Sequence, residues 1–419
     1  MKAVAEHLAD CLAVVDPLPP LDVSLIEALD CVLTVDAYSR VSLPPWDNSS
    51  MDGYAVVVAD LVGASEGSPV ELPVVGDVPA GAEQTHPLVV GSAVRIMTGA
   101  PVPAGTEAVV PVEWTDAGVA RVRVHRQPSV AQNIRRAGED VIAGDLLVRA
   151  GTRLTPRHLG LLAATGHSRV RVHPRPRVVV MSTGSEIVAP GRQLVGSQIF
   201  DSNSYALAAA VADAGGIPIR VGAVDDDAGT LLATLEDQLA RADVVVTTGG
   251  VSAGAFDVVK EVLSRLGTVS FDKVAMQPGM PQGVGTVSRR QLDDGAVGDG
   301  PPGVPIFTLP GNPVSAYVSF EVFVRPALRK MLGEAELHRP AVQARAAIGW
   351  ASPAGKRQFV RVHLVATDRG PVVTPVGGQK SHLVADLSQA NALAVVAEDV
   401  TRVGAGDELT CLLLERGRR

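Results

Sequence analysis

The chain has 419 residues, of which 46% are apolar and 3% aromatic, and a formal net charge of −8. That length exceeds one ordinary domain and suggests about three. The acidic balance and the lack of a dense Lys/Arg run exclude nucleic acid as a natural partner, and so few aromatics leave little surface for stacking bases.

No apolar run approaches the ~20 residues of a membrane span. The opening MKAVAEHLADCLAVVD carries Glu6, His7 and Asp10 within its apolar pattern, so it reads as an amphipathic helix and not as a signal peptide. Cys11, Cys31 and Cys411 form no CxxC pair and read as small apolar residues of a reducing compartment. A soluble cytoplasmic protein with no membrane contact is the expectation.

Two short helical patterns open the chain, Val4 to Val14 and Ser24 to Leu33, separated by Pro17-Leu18-Pro19-Pro20. From Ala37 the character changes to short β-branched runs between Gly/Pro/Asp turns: Tyr54 to Val58, Ala93 to Met97, Ala108 to Val112 and Val119 to Val124. A helix returns over Leu154 to Ala164, with Thr155 to cap it, Pro156 in its first turn and Gly166 beyond its end.

Beyond Arg175 strands and helices alternate. Strands are predicted at Arg177 to Ser182, Ile217 to Val224, Asp243 to Val246 and Val304 to Leu309. Helices are predicted at Ser204 to Ala214, Thr230 to Ala240 and Val258 to Leu266, with a long one from Asn312 to Leu332 that contains Pro326. Such alternation argues for a mostly parallel sheet covered on both faces. Phe271 to Met276 and Gln282 to Val287 add strands, and Ser288 to Gly303 is a polar Gly/Asp/Pro-rich loop. After Gly333 five strand patterns follow, as in a small β-barrel or sandwich. The expected organisation is a discontinuous N-terminal helical/linker domain (1–36 and 139–174), an inserted β-rich module (37–138), a βαβ three-layer domain (175–336) and a C-terminal β-barrel (337–419).

Ligands of open α/β sheets sit at the carboxyl ends of the strands. Three such ends look alike: Ser182-Thr183-Gly184-Ser185-Glu186, Thr247-Thr248-Gly249-Gly250 with Ser252 beyond, and Thr308-Leu309-Pro310-Gly311-Asn312-Pro313. Each joins glycine, small hydroxyls or amides and a following helix, the chemistry of an anion cradle. A tight βα turn explains any one of them; three at corresponding positions favour a pocket. Glu186, Asp226 and Asp257 lie on the same rim, where carboxylates beside phosphate call for a hard cation such as Mg²⁺. Helix capping is the competing reading for Asp226 and Asp257. Lys273 can neutralise an anion or be a solvated edge lysine. Arg135 and Arg136, beside Glu139 and Asp140, suit oxyanion recognition or a salt-bridge network.

The blocks DNSSMDGYAV, RIMTGAPVP, NIRRAGED, STGSE, DSNS, TTGGVSAGAFD and LPGNPVSA, in this order through nearly the whole chain, resemble the molybdopterin molybdenumtransferase family, which includes the gephyrin E domain. The resemblance implies an enzyme of molybdenum cofactor synthesis that inserts molybdate into adenylylated molybdopterin and releases AMP with Mg²⁺. It also implies an elongated homodimer in which Asp52, Thr98, Arg135 and Asp140 of one subunit face the βαβ domain of the other. Glu186, Asp226, Asp257 and the TTGG loop would line the nucleotide and pterin phosphate pocket, with Pro310 and Pro313 at its rim. Lys273 matches a functional lysine and Ser381, in GGQKSHL, a serine of the C-terminal module. The chain departs from the common pattern at Ser185, where many members carry Asp, and at Gln277 and Met280 of MQPGMP, where lysines are frequent. The competing readings are the molybdopterin adenylyltransferase step, whose enzymes usually lack the flanking β-rich modules, a non-catalytic gephyrin-like scaffold, and a molybdate-binding or storage protein.

Overall fold

The computed structural model describes residues 1–224, 227–250, 258–265, 268–288 and 303–414. Its centre is a six-stranded sheet in the order Ile217–Arg220, Arg177–Ser182, Val244–Thr248, Val304–Leu309, Pro281–Val287, Val269–Lys273. The first four strands run parallel, and Pro281–Val287 runs antiparallel to both of its neighbours. The strands are apolar at successive positions because both faces are covered. Val178, Val180, Val244, Val246 and Phe307 pack with Leu207 and Val211 of helix Asn203–Ala214 and with the helical stretch beginning at Pro313. Val179, Met181, Val245 and Ile306 pack with helices Ala228–Leu239 and Val258–Arg265 on the other face.

From Arg177–Ser182 the chain passes to Ile217–Arg220 on one side and then to Val244–Thr248 on the other. That reversal opens a crevice at the carboxyl ends of the two strands, where ligands of such sheets bind. The long C-terminal helix of this domain forms as expected, but as Pro313–Ser319, a π segment Phe320–Val324 and Arg325–Met331. The wider turn precedes Pro326, which has no N–H to offer the preceding turn.

The opening helix Val4–Ala13 packs on the α/β domain, with Val4, Cys11 and Val15 in the same core as Val178 and Phe323. Just before it, Lys2 pairs with Val274, and its N–H donates to the Lys273 carbonyl at 2.9 Å.

The second expected helix, Ser24 to Leu33, does not form. Strands Leu21–Ser24 and Val32–Leu33 flank Arg169–His173 in a three-stranded sheet, with turns between. The Glu27 carboxylate accepts from the Ser24 N–H at 3.0 Å and its hydroxyl at 2.7 Å, and Asp30 adopts a φ of 65° that a helix cannot continue. Helix Pro156–Ala164 does start at the capping box of Thr155 and His158.

The β-rich module is a five-stranded sheet ordered Ala108–Pro111, Gly53–Val56, Ala93–Ile96, Val70–Val78, Arg121–Val124. Val70–Val78 escaped the sequence pattern because Pro73 and Gly76 interrupt it; the register shifts between Val74 and Gly76. At the C-terminus Ala392–Val396 pairs back onto Arg357–Val365, closing a five-stranded barrel with Val372–Pro375, Ala341–Ala346 and Glu408–Leu413. Met276–Gln277 lies parallel to the start of Arg357–Val365 and ties the barrel to the α/β domain. A buried ionic cluster makes a second tie: Arg339 donates to Glu321 at 2.8 and 2.9 Å and to Asp213 at 2.7 Å, and Arg325 donates to Asp213 at 2.8 Å.

Candidate active site

The three strand ends expected to converge do so. Thr183, Gly184, Glu186, Thr248, Gly249, Gly250, Pro310, Gly311, Asn312 and Pro313 line one cleft of about 690 Å³ at the crevice of the α/β sheet. Adjacent parallel strands place their carboxyl ends on one edge, and the register Ser182↔Thr248↔Leu309 aligns the three turns. Their backbones are locked together: the Thr183 N–H donates to the Thr248 carbonyl at 3.0 Å and the Gly249 N–H to the Leu309 carbonyl at 3.2 Å. Gly249 has a φ of 100°, and a Cβ there would lie 2.5 Å from the Thr183 carbonyl oxygen, so the approach of the two turns requires glycine.

A buried polar network supports this floor. The Thr248 hydroxyl donates to the Pro310 carbonyl at 2.9 Å and accepts from the Asn203 amide at 3.0 Å, while Asn203 also donates to the Gly311 carbonyl at 2.7 Å. Ser182 stands behind the wall, its hydroxyl donating to Asp201 at 2.9 Å; Asp201 also accepts from the Ser204 N–H at 3.0 Å. Asn203 joins the site although the sequence pattern alone does not single it out, because DSNS directly before the Ser204 to Ala214 helix also suits a helix cap. The signal available was its helix start, which faces the same edge as the three turns. The Thr183 hydroxyl and the Asn203 side-chain oxygen are buried without a partner among the described residues. Buried polar atoms are rarely left so, and both belong to residues that line the cleft, where a ligand or a hydrated cation can satisfy them. Glu186 is exposed on its rim. Asp226, Ser252 and Asp257 lie outside the described residues.

A second cavity of about 510 Å³ adjoins the first through Ser315 and His382, which line both. Gln277, Met280, Lys356, Lys380 and Ser381 line it. Lys273 lines neither cavity; it is exposed at the end of edge strand Val269–Lys273.

The four positions expected from the β-rich side also line neither cavity. Asp52, just before strand Gly53–Val56, accepts from the Thr98 N–H and hydroxyl, both at 2.7 Å, and these bonds hold its carboxyl below the usual carboxylate range. Arg135 is exposed on the short strand Ile134–Arg135, paired with Asn48–Ser49, and Asp140 is exposed beyond it. Of the two arginines it is Arg136 that is held, to Asp47 at 2.5 Å. Asp52 and Thr98 are thus joined to each other.

Residues 2–166 match the family described as MoeA N-terminal region (domain I and II), residues 179–330 a probable molybdopterin binding domain, and residues 343–414 the MoeA C-terminal region (domain IV). The chain is 45% identical to molybdopterin molybdenumtransferase 2 of Mycobacterium tuberculosis, covering 98% of each. It is 34% identical to the molybdopterin molybdenumtransferase of Haemophilus influenzae, covering 92% of each. A crystal structure of a molybdopterin biosynthesis MoeA protein from Pyrococcus horikoshii superposes with a TM-score of 0.76 at 31% identity, covering 100% of both chains. Among the described residues no helix is long and apolar enough to cross a membrane. With its four parts in the same order and its identity sustained over nearly the full length, the chain belongs to the molybdopterin molybdenumtransferase family.

Proposed function

We propose that this chain inserts molybdate into adenylylated molybdopterin and releases AMP, a step of molybdenum cofactor biosynthesis. The observation that carries the reading is the junction of two cavities. A cleft floored by glycines, hydroxyls and amides opens through Ser315 and His382 into a second chamber that holds two lysines. The first suits a pyrophosphate, which is bound by backbone N–H groups and small donors. The second suits a compact oxyanion. Holding both reactants in adjoining chambers supplies the proximity that such a transfer needs, with no protein nucleophile required.

The cleft fits Mg²⁺. A hard cation takes oxygen ligands, and Glu186 with the unpartnered Thr183 hydroxyl and Asn203 oxygen provides them. Asp226 and Asp257 would complete the set. When bound, the ion would neutralise the pyrophosphate and the departing AMP. The residues of the chain position the nucleotide: Thr248 and Asn203 fix the floor, and Pro310 to Pro313 shape the rim.

The working unit is a homodimer. Asp52, Thr98, Arg135 and Asp140 line neither cavity of their own chain, so a second copy would bring them to the cleft. The test is AMP release from adenylylated molybdopterin with and without molybdate. Molybdate-dependent release is expected, lost on chelation of Mg²⁺ and in Glu186→Gln. Mixing inactive Asp52→Asn and inactive Glu186→Gln subunits should recover up to about a quarter of wild-type activity, because one site of each mixed dimer is intact. Release that ignores molybdate overturns the insertion reading, and no recovery on mixing overturns the shared site.

A further inference from the structure

The cavity beside the nucleotide cleft carries its positive charge in an unexpected place. On the wall formed by Met276 to Met280, where the family resemblance leads one to expect lysines, stand the uncharged Gln277 and Met280. On the same lining, Lys380 lies in the loop that also carries Ser381, and Lys356 immediately precedes strand Arg357–Val365, which pairs with Met276–Gln277. Neither ammonium has an ion-pair partner among the described residues. We propose that Lys356 and Lys380 together supply the charge that holds the tetrahedral oxyanion here, replacing the lysines absent at 277 and 280.

The backbone around both lysines is pinned while their side chains are left free. The Arg361 guanidinium is buried and donates to the carbonyls of Gly378, Lys380 and Leu383, so it holds the loop and not a ligand. The Val314 N–H donates to the Ser381 carbonyl at 3.0 Å, and Asp386 accepts from the Gly378 N–H at 3.1 Å. On the other segment the Arg357 N–H donates to the Ala275 carbonyl at 2.9 Å, which fixes Lys356 against the Gln277 wall. Two ammonium groups offset the two negative charges of a molybdate-class dianion. The Gln277 amide and the Ser381 hydroxyl can donate to its oxygens, which the Met280 thioether cannot. An uncompensated dianion would otherwise share this region with Glu186 and a pyrophosphate.

The inference rests on the proposed function for the identity of the oxyanion, and its test separates the two. Tungstate, which has the charge and shape of molybdate, is titrated calorimetrically into the full chain and into Lys356→Gln, Lys380→Gln, the double variant, and the double variant carrying Gln277→Lys and Met280→Lys. Each single change is expected to weaken tungstate on the order of tenfold and to lower the dependence of binding on salt. The double change should abolish binding at low millimolar tungstate, and moving the lysines to 277 and 280 should restore it. In the AMP-release assay the loss falls on KM for molybdate, not on KM for the pterin nucleotide. Thermal unfolding of each variant confirms that it folds. Wild type that binds no tungstate, or a folded double variant that binds it as wild type does, overturns the inference. Wild type that binds tungstate through these lysines but releases no AMP overturns the functional reading and leaves the oxyanion site standing.

Discussion

The Thr248 hydroxyl donates to the Pro310 carbonyl oxygen at 2.9 Å, joining the ends of two neighbouring parallel strands beneath the cleft. The same hydroxyl accepts from Asn203, so one oxygen couples three segments of the floor. Thr248→Val keeps the shape and leaves a buried carbonyl and a buried amide without this partner. A loss of about 1–3 kcal/mol in urea unfolding is expected, together with a raised KM for the pterin nucleotide. Thr248→Ser should retain most of both. Equal behaviour of the Val and Ser variants would show that the hydroxyl does not organise the floor.

Gly249 combines a φ of 100° with a Cβ position 2.5 Å from the Thr183 carbonyl oxygen. Gly249→Ala therefore forces the Thr183 and Thr248 turns apart. Pterin-nucleotide binding should weaken by at least tenfold, and stability should fall by about 1–3 kcal/mol. Gly222→Ala, where the added methyl meets nothing within 4 Å, is the control and should leave binding within twofold of wild type. The comparison is read by equilibrium titration of the nucleotide.

His7 is 1% exposed, packed edge-on to Phe323 at 4.8 Å, and its Nδ1 has no hydrogen-bond partner among the described residues. Burial first, and the Lys2 ammonium second, push its pKa down to about 4, against the pull of Asp272 and Asp10. The native state keeps the ring neutral where the unfolded chain protonates it near its ordinary value of 6.5. Stability from this site is therefore full above pH 6.5 and falls as pH drops from there toward 4. Between pH 7 and 5 the loss is about 2 kcal/mol. His7→Gln should remove this part of the acid sensitivity in paired urea titrations, and identical pH slopes for the two proteins would refute it.

Glu321 has a fully buried side chain, and Arg339, 4% exposed, donates to it and to Asp213. Arg339→Met leaves that carboxylate with Arg325, 3.9 Å away, and the Tyr317 hydroxyl, and a loss of about 3–5 kcal/mol is expected. Replacing Glu321 by Met in the same chain should recover part of it, because the uncompensated buried charge is gone. Denaturant midpoints of the two single variants and the double variant give the coupling directly. Strict additivity would show that the two groups do not interact.

How much of this was legible in the sequence depends on separation along the chain. The turns after Ser182, Thr248 and Leu309 could be grouped in advance, because any parallel sheet puts them on one edge. The barrel strands and the helix start at Thr155 carried local signals of pattern and cap. The cavity with Lys356 and Lys380 did not, since its walls come from positions about eighty to a hundred residues apart and meet through contacts such as the pairing of Met276–Gln277 with Arg357–Gln358. The segment from Ser24 to Leu33 has helical spacing, but local side-chain bonding and sheet pairing with Arg169–His173 override it. The residues expected from the β-rich module could be named but not joined to the cleft, because one chain does not bring them together.

Lys2 and Asp272 are hydrogen-bonded across 270 positions, and the opening helix shares its core with Phe323 and Leu328. During synthesis residues 1–15 emerge long before any of these partners exist. The linker sheet and the β-rich module, each with its own core, can fold while that helix waits. A segment made early therefore docks late. A helix with an apolar face must stay unclaimed on the ribosome until some three hundred further residues have followed it.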